Sequence, residues 1–177
     1  MAVGGGRLVV VDRRDGAANV RRELTQRASE IERELQARVR AQAEPLLALP
    51  GCGVLTAAKL LGETAGVARF SGEAKLAMHA GAAPLPASSG ARHRHRLNRS
   101  GNRQLNCALH RMAVTQGRVH EPAKEYLARK QEEGHSRKEA LRCLKRHLAR
   151  VVYRTLRAIE EKKMTSTKGP VSVPALT

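Results

Sequence analysis

The sequence predicts a mainly α fold, on three observations. Apolar residues recur at spacings of three and four over residues 17–43 and again over 141–159, the period of one helix face. The hydrophobic residues, 41 % of the chain, are largely Ala, Leu and Val, with one Phe, two Tyr and no Trp; small side chains of this kind favour closely packed helices. Helix start and stop signals stand at Pro45, Ser71, Pro122, Gly134 and Ser136. The length fits one domain, or one domain plus an arm.

Residues 1–16 read as a flexible, Gly-rich start whose Leu8–Val11 run is too short to bury itself. Residues 17–45 form a helical arm with Val20, Leu24, Ala28, Ile31, Leu35 and Val39 in a narrow apolar seam and charges elsewhere. That seam either packs on the rest of the domain or serves as a coiled coil for self-association through residues 20–39. Pro45 ends or resets the helix. Leu46 to Leu61 then reads as a short helix, a tight Pro50-Gly51-Cys52-Gly53 turn and a second helix. This resembles the helix-hairpin-helix DNA-binding motif. Gly51 and Gly53 let the backbone turn tightly and approach a phosphate, and the free amides of the next helix favour an anion. Lys59 adds a contact from that helix, and such a site reads backbone, not sequence. The alternative is an ordinary helical hairpin with a glycine turn. Cys52 stands where that motif usually has Ile or Val, as a small buried hydrophobe.

Further along, Ser71 is the expected N-cap of a helix running to about His79, with Glu73 in its first turn. Residues 81–86 are an extended linker, because two prolines disfavour helix. A basic loop follows. Helix resumes from about Asn102 to Gln116, and Glu121-Pro122 starts another that Gly134 stops. Ser136 and Glu139 form a capping box. It opens a long helix with Leu141, Leu144, Leu148, Val151, Val152, Leu156 and Ile159 on one face. Arg142, Lys145, Arg146, Arg150, Arg154 and Arg157 are assigned to the opposite face, as a strip expected to lie along a nucleic-acid backbone rather than merely in solvent. Residues 161–177, rich in Thr, Ser, Gly and Pro, read as a disordered tail.

Charge narrows the function classes. Thirty-three Lys and Arg stand against 16 Asp and Glu, a formal net charge of +17, and the isoelectric point is near 11.1. A domain with that imbalance repels itself and calls for a polyanionic partner, nucleic acid first. The aromatic scarcity argues against a membrane-surface role and against single-strand binding by stacking. No apolar run approaches the ~20 residues that span a bilayer. Met1 to Arg7 lacks the apolar core of a signal peptide. Cys52, Cys107 and Cys143 are odd in number and scattered, which argues against disulfides and a zinc site and points to a reduced, cytoplasmic setting.

The most informative segment is residues 87–103, where Ser88-Ser89-Gly90 precedes alternating Arg and His. A serine before a glycine is by itself usually a turn. A Ser-His-Asp hydrolase would need a Gly-x-Ser-x-Gly elbow and a distal acid, and neither is present. A metal site on His93 and His95 would need further ligands, and the flanking arginines disfavour a cation. The remaining chemistry is attack by a serine on a DNA phosphate, forming a covalent protein–DNA link. Arg92, Arg94, Arg96 and Arg99 would then stabilise charge on the transferring phosphoryl group.

Ordered motifs carry a resemblance here: Leu49-Pro50-Gly51-Cys52-Gly53, Arg69-Phe70, Gly81-Ala82-Ala83-Pro84, Ser88-Ser89-Gly90, His95-Arg96-Leu97-Asn98-Arg99, Gly101-Asn102-Arg103-Gln104-Leu105-Asn106, Arg129-Lys130, and Lys138 to Arg146. Together they resemble the C-terminal domain of insertion-sequence transposases of the 110/116/902 group, taken as residues 46–160. The resemblance implies a DNA recombinase. Its N-terminal RNase H-like domain carries a DEDD carboxylate set that binds magnesium, and it works with a serine nucleophile under a structured guide RNA. Carried onto this chain, the nucleophile falls on Ser89, with Ser88 as the competing neighbour. Phosphate-binding roles fall on Gly51, Gly53, Lys59, Arg92, Arg94, Arg96, Arg99 and Arg103. His93 or His95 is available for proton transfer near neutral pH. About 45 residues precede the hairpin, too few for the carboxylate domain, and Asp12 and Asp15 do not replace its four acids. The expectation is therefore a truncated transposase, with no cofactor of its own, that does not recombine DNA alone. The alternative is a non-catalytic DNA- or RNA-binding remnant that competes or pairs with full-length transposase.

Overall fold

A computed structural model describes residues 13–86 and 95–167; for residues 13–15, 86, 95–97 and 166–167 it describes the backbone only. The fold is mainly helical, as the periodicity predicts. The elements are α1 (Arg13–Leu47), α2 (Val54–Thr64), a single 3-10 turn (Val67–Arg69), α3 (Glu73–His79), β1 (Pro84–Pro86), β2 (His95–Leu97), α4 (Arg103–Val119), α5 (Glu121–Glu132) and α6 (Arg137–Thr167).

α1 is one helix with a break. Ala43 leaves helical geometry at φ −158° and ψ 48°, two residues before Pro45. That proline lacks an N–H for the carbonyl of Ala41, and its ring crowds that carbonyl. The break divides the helix functionally. Val39, Ala43 and Leu46 are buried against the domain, whereas no residue from 16 to 38 is buried. Val20, Leu24 and Ile31 are each more than half exposed. The packed-on-the-domain reading of the seam is therefore corrected for these three residues: among the described residues nothing covers them.

The core lies between the end of α1, α2, α4 and α6. Leu46, Leu60, Leu105, Leu109 and Met112 are almost wholly excluded from solvent, and α6 adds Leu144, Leu148, Val152 and Leu156. Ala57, Ala108, Ala113 and Ala149 sit among them at no more than 1 % exposure. Their small side chains let the helix axes approach closely, as the composition anticipates.

Boundaries agree with the sequence where caps are chemical. Glu139 accepts from the backbone N–H and the hydroxyl of Ser136 at 2.9 and 2.7 Å, closing the capping box. α5 ends before Gly134, whose φ of +87° suits glycine. Four expectations are corrected. The N-cap of α3 is Gly72, not Ser71. The prolines of the expected linker instead form β1, antiparallel to β2 with Pro84 opposite Leu97 and Pro86 opposite His95; a two-stranded edge tolerates residues that donate no ladder bond. Helix begins at Arg13, inside the start read as flexible, and α6 continues through Lys162 to Thr167, inside the tail read as disordered. The Leu8–Val11 run lies outside the described residues.

Candidate nucleic-acid interface

α4 organises the site, with a glycine turn against its C-terminal half and a β-hairpin rooted at its N-terminus. At the glycine turn, the Leu49 N–H bonds the Leu46 carbonyl and the Cys52 N–H bonds the Leu49 carbonyl. Gly51 has φ +76°, and a Cβ on it would lie 3.1 Å from Thr115 Cβ and 3.2 Å from the Met112 carbonyl oxygen. Gly51 is thus packed against α4, where only glycine fits, and does not present an open edge. Gln116, 5 % exposed, donates to the Pro50 carbonyl at 2.7 Å and fixes the turn. Cys52 is buried, and burial pushes its thiol up to about 11; it fills space as the sequence suggests.

Gly53 differs from Gly51. It is exposed, its backbone is extended, and nothing lies within 4 Å of a Cβ built on it. It is the N-cap of α2, and no side chain caps the helix. The first-turn amides that follow are the groups an α-helix leaves without internal partners.

At the other end of α4, three asparagines four residues apart meet three consecutive carbonyls at the C-terminal end of α3. Asn98 Nδ2 donates to the Met78 carbonyl, the Asn102 backbone N–H to the His79 carbonyl, and Asn106 Nδ2 to the Ala80 carbonyl. A helix C-terminus leaves its last carbonyls without partners, and this ladder supplies them. Asn98 Oδ1 also accepts from the N–H and hydroxyl of Ser100. Asn102 Oδ1 caps α4 through the N–H groups of Gln104 and Leu105, and its amide donates to Glu63 on α2. Gly81 and Gly101 cross inside the ladder, so closely that a Cβ on Gly101 would lie 2.2 Å from the Gly81 nitrogen.

The basic residues divide accordingly. Lys59 bonds Gln104 Oε1 at 2.7 Å and so stands beside Arg103 at the start of α4. Arg99 and Arg103 are exposed, and no carboxylate pairs with either among the described residues. Arg96 and His95 lie on β2, of which the backbone is described. Ser88, Ser89, Gly90, Arg92, His93 and Arg94 fall in the eight residues that join β1 to β2 and lie outside the described residues. The structure therefore groups Lys59, Arg99, Arg103 and the hairpin, and places the Gly51–Gly53 turn elsewhere. Thr115 stands eleven positions after Gln104 on the helix, about 16 Å along it at 1.5 Å per residue.

The cationic strip assigned to α6 is corrected. Arg150 and Arg154 both pair with Glu73 of α3, at 3.4 and 3.1 Å, and Arg157 pairs with Glu161 at 3.0 Å. Lys145 is 6 % exposed and donates to Asn106 Oδ1 at 2.6 Å. It lies three residues before Leu148 and seven before Val152, within the apolar stripe rather than opposite it. Burial holds the Lys145 ammonium below the ordinary lysine range; Arg142 adds to this and Cys107 opposes it, and His110 is lowered by its own partial burial first and by Lys145 second. The folded-state pKa is thus below the unfolded one. Between the two values the unfolded chain binds more protons, so stability from this group rises with pH across that alkaline window. In urea melts from neutral to alkaline pH, the stability of wild type relative to Lys145→Met should therefore increase with pH. A pH-independent difference would contradict a buried ammonium.

Sequence reasoning gave no role to Asn98, Asn106, Gln116 and Glu63, and it placed Lys145 on the wrong face. The regular spacing of Asn98, Asn102 and Asn106 was visible, but the α3 carbonyls they serve were not. No group of three or more His, Cys, Asp or Glu side chains that could hold a metal ion occurs among the described residues. No described helix is long and apolar enough to cross a membrane.

Comparison with known proteins adds to this geometry. Residues 43–128 match the family described as Transposase IS116/IS110/IS902. The chain is similar to the insertion element IS116 uncharacterized 44.8 kDa protein of Streptomyces clavuligerus, 30 % identical over 156 residues covering 86 % of this chain and 38 % of that protein. It is similar also to the insertion element IS110 uncharacterized 43.6 kDa protein of Streptomyces coelicolor, 35 % identical over 135 residues, 72 % of this chain and 33 % of that protein. The chain spans about a third of the length of these curated relatives, at 38 % and 33 %.

Proposed function

The chain belongs, over residues 43–128, to the IS116/IS110/IS902 transposase family, and from that membership we propose that it engages DNA in the transposition of an insertion sequence, with Ser89 as the nucleophile. The observation that carries the reading is the firmly rooted β-hairpin. Its two strands frame the segment holding Ser89, and exposed Arg99 and Arg103 follow at its base. In the proposed step the Ser89 hydroxyl oxygen forms a bond to a backbone phosphorus and one phosphodiester P–O bond breaks. The proton leaves the serine, the departing deoxyribose oxygen takes one up, and the new phosphoserine ester retains the bond energy for rejoining. Arg92, Arg94, Arg96, Arg99 and Arg103 balance the phosphoryl charge. In this reading Gly53 and the α2 amides hold a second backbone phosphate, and Lys59 joins Arg99 and Arg103 at the hairpin base. Any magnesium would come with the family's carboxylate domain, and a structured guide RNA is the second polyanion the same surface would take.

The test of DNA engagement is duplex binding across a salt series, wild type against Gly53→Glu. Gly53 has an ordinary φ of −74° and open space around it, so the substitution changes charge and leaves the packing alone. Affinity should fall linearly on a log–log plot with salt, and the variant should bind about tenfold more weakly at low salt. Equal affinity of the two chains would remove the glycine turn from the interface.

A second reading has its own observation. The uncovered Val20, Leu24 and Ile31 suit a non-catalytic binding module that pairs with another transposase chain through residues 20–39. Such a module would bind DNA with the same salt dependence whether or not Ser89 were present.

A further inference from the structure

Lys145 is the buried titratable group that the proposed chemistry does not use, and its surroundings give it a role. We infer that Lys145, acting through Asn106, is a positioning residue for the 84–97 hairpin. The inference rests on the reading of that hairpin as the carrier of the nucleophile.

The chain of contacts is short and continuous. Lys145 Nζ donates to Asn106 Oδ1 at 2.6 Å, which turns the Asn106 amide so that its Nδ2 donates to the Ala80 carbonyl at 2.8 Å. An amide group has one acceptor and one donor end, so fixing the oxygen by a cation leaves the nitrogen only the α3 side. Ala80 precedes Gly81, whose left-handed turn sends the chain into β1, and the Ala82 and Ala83 N–H groups bond the Ala77 carbonyl. The returning strand enters the same junction through Asn98, on the Met78 carbonyl. Both legs of the hairpin therefore leave from one helix end, and Asn106 is the rung that ties that end to α6.

Burying an ammonium whose hydrogen-bond partner among the described residues is a neutral amide is costly, and a methionine would fill the same volume at no such cost. No carboxylate pairs with Lys145 among the described residues; Arg142 on its own helix, and Cys107 and His110 on α4, are the charged or titratable groups that act with it. The stripe around it is otherwise apolar, with Leu144, Leu148 and Ala149 buried. A charge-assisted hydrogen bond is stronger and more directional than a neutral one, and direction is what a rung between two helices requires.

The test is amide hydrogen exchange with duplex affinity measured alongside. In Lys145→Met, exchange at Ala82, Ala83 and Ser100, whose N–H groups are bonded at the root of the hairpin, should accelerate about tenfold, with α4 core amides at Leu109 and Met112 unchanged. Asn106→Asp keeps an acceptor for Lys145 and removes the donor to Ala80, and it should loosen the same three amides; it serves as the readout if Lys145→Met does not fold. Duplex affinity should stay at the wild-type value in Lys145→Met, because Lys145 is buried and is not one of the proposed phosphate contacts. Unchanged hairpin exchange, or equal acceleration of hairpin and core, would overturn the inference. Failure of Ser89 to form a covalent link would instead strike at the nucleophile and leave these exchange rates as they are.

Discussion

Gly101→Ala should destabilise the chain by about 3 kcal/mol or more, a cost at the upper end for a single added methyl group. The added Cβ would stand 2.2 Å from the Gly81 nitrogen, 2.4 Å from its Cα and 3.0 Å from the Ala80 carbonyl carbon. All three are backbone atoms, so no rotamer change relieves the contact. The backbone cannot retreat without breaking the bonds from Asn98, Asn102 and Asn106 to the Met78, His79 and Ala80 carbonyls. Gly62→Ala is the matched control. It lies in α2 with nothing within 4 Å of its Cβ position, so alanine there should stabilise by about 0.5–1 kcal/mol through helix propensity. Urea melts of the two variants read both effects. A cost under about 1 kcal/mol for Gly101→Ala would mean that the two glycines do not cross.

That prediction exposes what sequence can and cannot carry. The helices were legible because burial imposes a period on the residues that face the core: Leu144, Leu148, Val152 and Leu156 announce α6 by spacing alone. Caps that act within four residues were legible for the same local reason, as Ser136 and Glu139 illustrate. The α3–α4 junction was not. Gly81 and Gly101 are twenty residues apart, and nothing near either one says that the other touches it. Nothing in the sequence ties Asn98 or Asn106 to the α3 carbonyls they serve. Lys145 was misplaced because a charged residue counts as outward in any period argument, and only its bond to Asn106 shows why it is inside.

The basic surface shows the same division. Composition predicted a polyanionic partner from the net charge, which needs no coordinates. It could not predict which cations are spoken for. Glu73 draws Arg150 and Arg154 to the α3–α6 contact, so part of the strip serves packing between elements. Exposed Arg99 and Arg103 remain at the hairpin base. The candidate interface thereby loses Arg150, Arg154, Arg157 and Lys145 from the α6 strip and keeps the exposed arginines at the start of α4.

Ser89→Ala should abolish covalent capture of DNA while leaving reversible duplex binding intact. The assay is a denaturing gel on labelled duplex carrying an insertion-sequence end, run with this chain alone and with the family's RNase H-like domain supplied. Wild type should yield a denaturant-stable adduct in the supplemented reaction, and Ser89→Ala should fall below about 1 % of it, since removing a nucleophile removes the intermediate itself. Ser88→Ala should retain the adduct, because the proposed nucleophile is the serine directly before Gly90. Gly53→Glu should need more DNA to reach the same adduct yield, since it weakens binding without touching the attacking oxygen. The four chains together separate the steps. Adduct lost only with Ser89 assigns the chemistry, and adduct lost with Ser88 moves it by one residue. Absence of adduct from wild type in both reactions, with salt-dependent binding retained, transfers the function to the binding module that pairs through Val20, Leu24 and Ile31.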